Sequence, residues 1–235
     1  MNIWNCVRGV GVMNKQKIAG YIEHTLLRQD ASLDDVAKLC KEAVEYGFAT
    51  VVVNPCNIEA AAKAVQGSGV RVATVIGFPL GANTTAVKVY EAEDAVRLGA
   101  HEVDMVMNVG RFKEKKYDYV HQDIAAVAKA VEGKAVLKVI VETGFLEDWE
   151  VTKASEIVKD AGADYIKTST GFSKGGAMVH HVELMKGVLG ESIGIKASGG
   201  VRSLEQAEAM IKAGATRIGT SSGIAIVEGA EKRSI

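Results

Sequence analysis

The sequence predicts a single-domain α/β chain closed into a (β/α)₈ barrel, the TIM-barrel fold class, and three observations carry that prediction. Short apolar runs rich in β-branched residues recur eight times along the 235 residues. Amphipathic stretches of helical period separate them. Several of these stretches end in a glycine set just before the next strand: Gly47 in YGFA, Gly99 in LGAH, Gly162 in AGAD and Gly214 in AGAT. Glycine there accepts the left-handed turn that closes a helix. Strands that alternate with helices build a parallel sheet, eight such units favour closure, and the length suits one barrel. An open doubly wound sheet is the alternative, but no GxGxxG follows the first strand to support it.

In chain order, the first dozen residues, MNIWNCVRGVGV, hold one arginine and a short apolar stretch without a convincing cleavage site, which makes a poor signal peptide. Residues 1–12 read as a dispensable extension and 13–235 as the barrel domain. The expected strands are 20–25 (GYIEHT), 50–54 (TVVVN), 70–77 (VRVATVIG) and 101–108 (HEVDMVMN), followed by 135–142 (AVLKVIVE), 164–169 (DYIKTS), 193–198 (IGIKAS) and 216–221 (TRIGTS). A helix is expected over 32–46, with Leu33, Val36, Ala37, Cys40, Ala43 and Val44 on its apolar stripe. Another is expected over 203–213, with Leu204, Ala207, Met210 and Ile211.

Composition excludes several classes of function. A formal net charge of −1 argues against a protein built to coat nucleic acid or an anionic membrane. No run of about 18 apolar residues is present to span a bilayer. Cys6, Cys40 and Cys56 are too few and too scattered for a disulfide framework, so a cytoplasmic setting is expected. Cys40 falls on an apolar helical position and reads as a small core residue.

Strands of a parallel barrel are covered on both faces and should be continuously apolar. Four of these are broken by a charge: Asp104 in VDMVMN, Lys138 in VLKVIV, Lys167 in YIKTST and Lys196 in IKASGG. Each alone could be a surface residue or half of a structural ion pair. Four on consecutive strands make coincidence a poor account, because lysine is almost never buried without a partner. At the C-terminal mouth of a barrel, where active sites form, they would be one cluster of three cations and one anion. Burial and like charges both disfavour an ammonium, so one lysine there could lose its proton near neutrality. A neutral amine is what attack on a carbonyl requires. Lys167 is followed by Thr168, Ser169, Thr170 and Gly171, small polar residues that leave room for a substrate. Lys196 is placed to lower its pKa, and Asp104, the only acid of the four, would move protons. Chemistry alone leaves the choice of nucleophile between Lys167 and Lys196 open.

Other constellations carry less. HEVDM (101–105) lacks the second histidine of HExxH, and His180 and His181 diverge by about 100° on a helix, so no metal is expected. KEKK at 113–116 reads as a solvated helix start.

The segments VDMVMNVG (103–110), LKVIVET (137–143), YIKTSTGF (165–172), IKASGGVR (195–202) and RIGTSSG (217–223) strongly resemble the deoxyribose-phosphate aldolase family, over about Ile22 to Ile226. The resemblance implies a metal-independent aldehyde-lyase without cofactor that reversibly cleaves 2-deoxy-D-ribose 5-phosphate to D-glyceraldehyde 3-phosphate and acetaldehyde. It implies a place in deoxyribonucleotide catabolism and a homodimer or homotetramer, with a small-molecule substrate and neither nucleic acid nor membrane as partner. By motif position, Lys167 matches the Schiff-base lysine and Lys196 its pKa-lowering neighbour. Asp104 matches the acid that relays protons through an ordered water, and Lys138 a lysine supporting that relay. Thr170, Gly171, Gly199, Gly200, Ser221 and Ser222, at the ends of strands 6 to 8, would hold substrate and phosphate, since glycines let the backbone approach and helix N-termini favour anions. Two positions depart from the family: Glu23 stands where aspartate is usual in the first strand, and Val52 where the second often has cysteine.

Two competing readings remain. One is another lysine-dependent or phosphate-binding sugar-phosphate barrel, transaldolase-like or isomerising; the lysine triplet with Asp104 argues against it, since isomerisation usually needs a carboxylate base rather than three amines. The other is a catalytically silent barrel that binds a phosphorylated ligand, which would have little reason to keep buried lysines.

Overall fold

The computed structural model describes residues 14–232. The expected extension, with Cys6, lies outside the described residues. Eight parallel strands close into a barrel in sequence order: β1 (Ile22–Leu26), β2 (Thr50–Val53), β3 (Arg71–Ile76), β4 (Glu102–Val106), β5 (Val136–Ile140), β6 (Tyr165–Lys167), β7 (Gly194–Ser198) and β8 (Arg217–Thr220). Each lies inside its expected run except β1, which extends one residue further to Leu26.

Helices form the outer ring. α1 (Lys15–Ala19) precedes β1, and α2 (Leu33–Tyr46), α3 (Ile58–Ala64) and α4 (Thr85–Arg97) follow the first three strands. α5 (Val109–Lys113) and α6 (Tyr117–Val131) both follow β4, and then α7 (Asp148–Asp160), α8 (Val179–Leu189), α9 (Leu204–Ala213) and α10 (Gly223–Lys232) come in turn. α2 starts in a capping box in which the Ser32 hydroxyl accepts from the Asp35 amide and the Asp35 carboxylate accepts from the Ser32 amide. It stops at Gly47, whose φ of 68° and ψ of 39° are left-handed. Among the described residues no helix is long and apolar enough to cross a membrane.

Two details of the sequence reading change. On α2 the buried stripe is Val36, Leu39, Cys40 and Ala43, while Leu33, Ala37 and Val44 are exposed. Spacing of 3, 1 and 3 keeps those four on one arc, and the exposed three flank it. On α9, Leu204, Ala207 and Met210 are buried as expected, joined by Ala213, with Ile211 half-buried. The exposed KEKK run spans a junction: Lys113 ends α5, Lys115 turns through a φ of 59°, and only Lys116 stands at a helix start, as the N-cap of α6. Lys113 donates to the Glu150 carboxylate at 2.6 Å.

The main apolar core lies between strands and helices. A second, small cluster of Leu27, Val52, Ala73 and Val75, with Phe78 against it, fills one side of the barrel interior. Val52 and Ala73 are register partners on β2 and β3. The other side of the interior is ionic. Barrel interiors are usually layered with branched apolar side chains, so this half of the lumen is shaped for something besides packing.

Candidate active site

Alternation along a strand puts every second residue on the inner face. Glu102 and Asp104 therefore share the inner face of β4, and register sets Asp104 beside Lys138 on β5 and Lys167 beside Lys196 on β7. The four expected residues do converge, around one carboxylate. Asp104 Oδ2 accepts from Lys167 Nζ at 2.8 Å and from Lys196 Nζ at 2.7 Å, and Oδ1 accepts from Lys138 Nζ at 2.9 Å. All four are buried.

The cluster is larger than three cations and one anion. Glu23, from β1, pairs with Lys196 in a very short contact and lies 3.6 Å from Lys138. Glu102 pairs closely with Lys138. Arg217, from β8, lies 3.6 Å from Glu23 Oε1. The fit of Glu23 answers one departure from the family pattern: the longer side chain still reaches the network. Glu102 was passed over within HEVDM, although its position two residues before Asp104 on a strand was a usable signal.

These neighbours set the charges. Burial, helped by the Lys196 ammonium and opposed by Asp104, brings the Lys167 amine down to about 8. Burial alone would push the Asp104 carboxyl up, but Lys138, Lys167 and Lys196 hold it well below the usual carboxylate range. Burial would lower Lys138, yet Asp104, Glu23 and Glu102 outweigh it and raise it, so Lys138 is a permanent ammonium. Of these lysines, Lys167 thus combines a carboxylate contact with a pKa near neutrality.

A cleft of about 650 Å³ opens beyond the C-terminal strand ends, with Lys167 and Lys196 among its lining. Thr170, Gly171, Gly199, Gly200 and Ser221 line it as expected. Gly199 and Gly200 have φ of 92° and 82°, a paired left-handed conformation that side chains rarely adopt. Ser222 does not line this cleft. Its carbonyl caps α10 by accepting from the Ile226 amide, and its own amide donates to Thr220 Oγ1 at 2.9 Å. Thr168 and Ser169, expected to leave room for substrate, are buried in the wall instead: Thr168 Oγ1 donates to the Ser198 carbonyl at 2.9 Å, and the Ser169 carbonyl accepts from Ser198 Oγ at 2.6 Å.

Sequence reasoning missed further residues. Arg28 and Arg202 bring cationic side chains to the cleft. Arg28 is already paired with Asp30 at 2.7 Å and, more closely, with Asp35. Gly219 lies on β8 where a Cβ would sit 2.9 Å from Lys196 Cε, so a side chain there would displace the lysine. Glu142, buried with a left-handed φ of 55°, accepts from the Thr170 amide at 3.2 Å and from its hydroxyl at 2.5 Å. His180 and His181 both face Asp148, at 2.7 Å and 3.9 Å. Among the described residues no group of three or more His, Cys, Asp or Glu is arranged to hold a metal ion.

Comparison with known proteins matches residues 17–229 to the model of the DeoC/LacD family of aldolases. A deoxyribose-phosphate aldolase of Clostridium perfringens strain SM101 is 58% identical over 217 residues, covering 92% of this chain and 97% of that protein. A deoxyribose-phosphate aldolase of Staphylococcus carnosus is 56% identical over 216 residues, covering 92% and 98%. Among solved structures, the tetrameric deoxyribose-phosphate aldolase of Aeropyrum pernix superposes with a TM-score of 0.86 at 33% identity, covering 94% of each chain.

Proposed function

The chain belongs to the DeoC/LacD family of aldolases and is a carbon–carbon lyase that reversibly cleaves 2-deoxy-D-ribose 5-phosphate through a lysine Schiff base; from that premise we propose which residues do the work. Lys167 is the nucleophile. What supports this reading most is the single Asp104 oxygen shared by Lys167 and Lys196 at 2.8 Å and 2.7 Å, at the buried end of an open cleft.

Neutral Lys167 attacks C1 of the open-chain sugar, and the carbinolamine loses water to give an iminium. The C3 hydroxyl gives up its proton, the C2–C3 bond breaks, and its electron pair flows into the iminium to form an enamine. Glyceraldehyde 3-phosphate leaves. Protonation at C2 and hydrolysis then release acetaldehyde and restore the amine. Asp104 and Lys196 exchange these protons, since both contact the reacting nitrogen or its carboxylate partner. Lys138 supports the relay by fixing Asp104 from its other oxygen. Nearby ammonium groups and burial keep Lys167 from holding its own proton too tightly.

At the other end of the substrate, Thr170, Gly171, Gly199, Gly200, Ser221 and Ser222 are assigned to the phosphate end. The left-handed glycines, the Ser221 hydroxyl and the cationic Arg28 and Arg202 support that polarity. Ser222 would act only through its place at the start of α10. A homodimer or homotetramer in the cytoplasm belongs to the same proposal, supported by the tetrameric Aeropyrum pernix relative.

Incubation with deoxyribose 5-phosphate or acetaldehyde, reduction with borohydride and mapping by mass spectrometry tests the assignment. A stable adduct on Lys167 is expected. An adduct on Lys196 alone, or none while a phosphorylated ligand still binds, would overturn it.

A further inference from the structure

The interior charges do not stop at the reacting lysine. They continue down the barrel to its N-terminal end as a column. Lys167 and Lys196 share one oxygen of Asp104, and Lys138 holds the other. Below it, Lys138 meets Glu102, whose second oxygen faces Arg71 Nε at 3.2 Å and Arg217 Nη2 at 4.0 Å. Glu102 and Asp104 are two residues apart on β4, so one strand presents both carboxylates to one ammonium. Buried ion pairs are weak evidence for stability, because desolvation offsets much of their attraction. An apolar layer would fill this space without that cost, and on the β2–β3 side it does.

We propose that Glu102 is a positioning residue of the aldol reaction: it anchors Lys138 from below, so that Lys138 occupies one oxygen of Asp104 and leaves the other oriented to the two lysines at the cleft. Glu102 touches no substrate and works only through Lys138. Three carboxylates surround Lys138, at 2.9 Å for Asp104, 3.6 Å for Glu23 and closest for Glu102. Without Glu102, the ammonium would be pulled wholly toward Asp104 and Glu23, and the charge balance around Lys167 would gain one positive unit. The groups facing this column are Glu23 from β1, Arg71 from β3, Asp104 from β4, Lys167 from β6, Lys196 from β7 and Arg217 from β8.

The inference rests on Lys167 being the Schiff-base lysine, so borohydride trapping of the wild-type enzyme comes first; no adduct there ends that reading, whereas the variants decide Glu102 by itself. Two variants are compared by kcat, KM and the pH dependence of kcat/KM. Glu102→Gln keeps the shape and removes the charge. Its kcat is expected to fall roughly tenfold or more while KM changes less than about threefold, as for lost positioning. The acid limb of kcat/KM should move down by about half a unit, because removing an anion lets Lys167 lose its proton more readily. Glu102→Asp keeps the charge but withdraws it by one methylene, so kcat should fall with the acid limb in place. A purely structural role predicts lower thermal stability in both, with kcat per folded molecule within about twofold of wild type and no shift of the limb; that result, or a lower kcat in Glu102→Gln without a limb shift, overturns the proposal. If circular dichroism shows Glu102→Gln unfolded, Glu102→Asp decides alone: unchanged kcat contradicts the anchor, and reduced kcat with an unchanged melting curve supports it.

Discussion

At the scale of single residues, the reacting lysine is defined by what stands next to it. Lys167 and Lys196 occupy matching positions on adjacent strands, yet they differ in surroundings: Lys196 is tied to Glu23 as well as Asp104. That second carboxylate holds Lys196 more firmly in place, while Lys167 keeps one carboxylate contact and faces the cleft, a distinction that charge and spacing left open and the family motif supplied. Gly219 keeps the arrangement open. Substitution by alanine would place a methyl group 2.9 Å from Lys196 Cε and from Ser198 Cβ, in backbone that any residue can adopt. Gly219→Ala is therefore expected to lower kcat/KM roughly tenfold or more through displacement of Lys196, with a lower melting temperature because the methyl also crowds Ser198 Cβ. Activity equal to wild type, measured beside a melting curve, would show that the lysine tolerates the shift.

Individual elements explain how much of this could be read in advance. The strands were legible because β-branched runs covered on both faces leave little ambiguity, and the glycines before them marked where each helix ends. The half of the site on the C-terminal parts of β4 to β7 was legible too, since a lysine inside an apolar run has no ordinary reason to be there. Glu102 and Arg217 were harder to see, and Glu23 stood out only through the family resemblance. Each lies at or near the N-terminal start of its strand, where a charge reads as the boundary between loop and strand, and only closure of the barrel turns it inward. Glu142 was hidden likewise at the end of β5, where its left-handed backbone has no signature in a non-glycine residue. On α2 the apolar stripe was placed by content and missed the exposure of Leu33, Ala37 and Val44, and Ser32, read as part of the helix, is its N-cap, while Gly47 ends it as expected. Ser32→Ala removes the side-chain acceptor of the Asp35 amide and is expected to destabilise the protein by about 1 kcal/mol. Denaturant unfolding should show that loss with kcat/KM unchanged; a large loss of activity at unchanged stability would mean that the adjoining Arg28–Asp35 pair acts on substrate.

Across the whole molecule, the barrel divides its interior between packing and charge. Val52, Ala73 and Val75 fill the β2–β3 side, whereas β1 and β4 to β8, with Arg71 from the start of β3, supply an ionic column ending in an amine at the base of the cleft. Closure of the sheet is what joins these halves, since Glu23 and Arg217 reach the column only because β1 pairs with β8. The central claim is that this environment lowers the Lys167 amine far enough to supply a substantial neutral fraction near physiological pH, and the pH dependence of kcat/KM, which reports the free enzyme, tests it most directly. A buried amine brought down to about 8 should give an acid limb there, with activity rising as the pH passes through that value and the amine loses its proton. In Lys196→Met the limb should move up, because the cation that helps lower Lys167 is gone while Asp104 remains to raise it. An acid limb near the ordinary lysine value of about 10.4, or one that Lys196→Met leaves in place, would contradict the account.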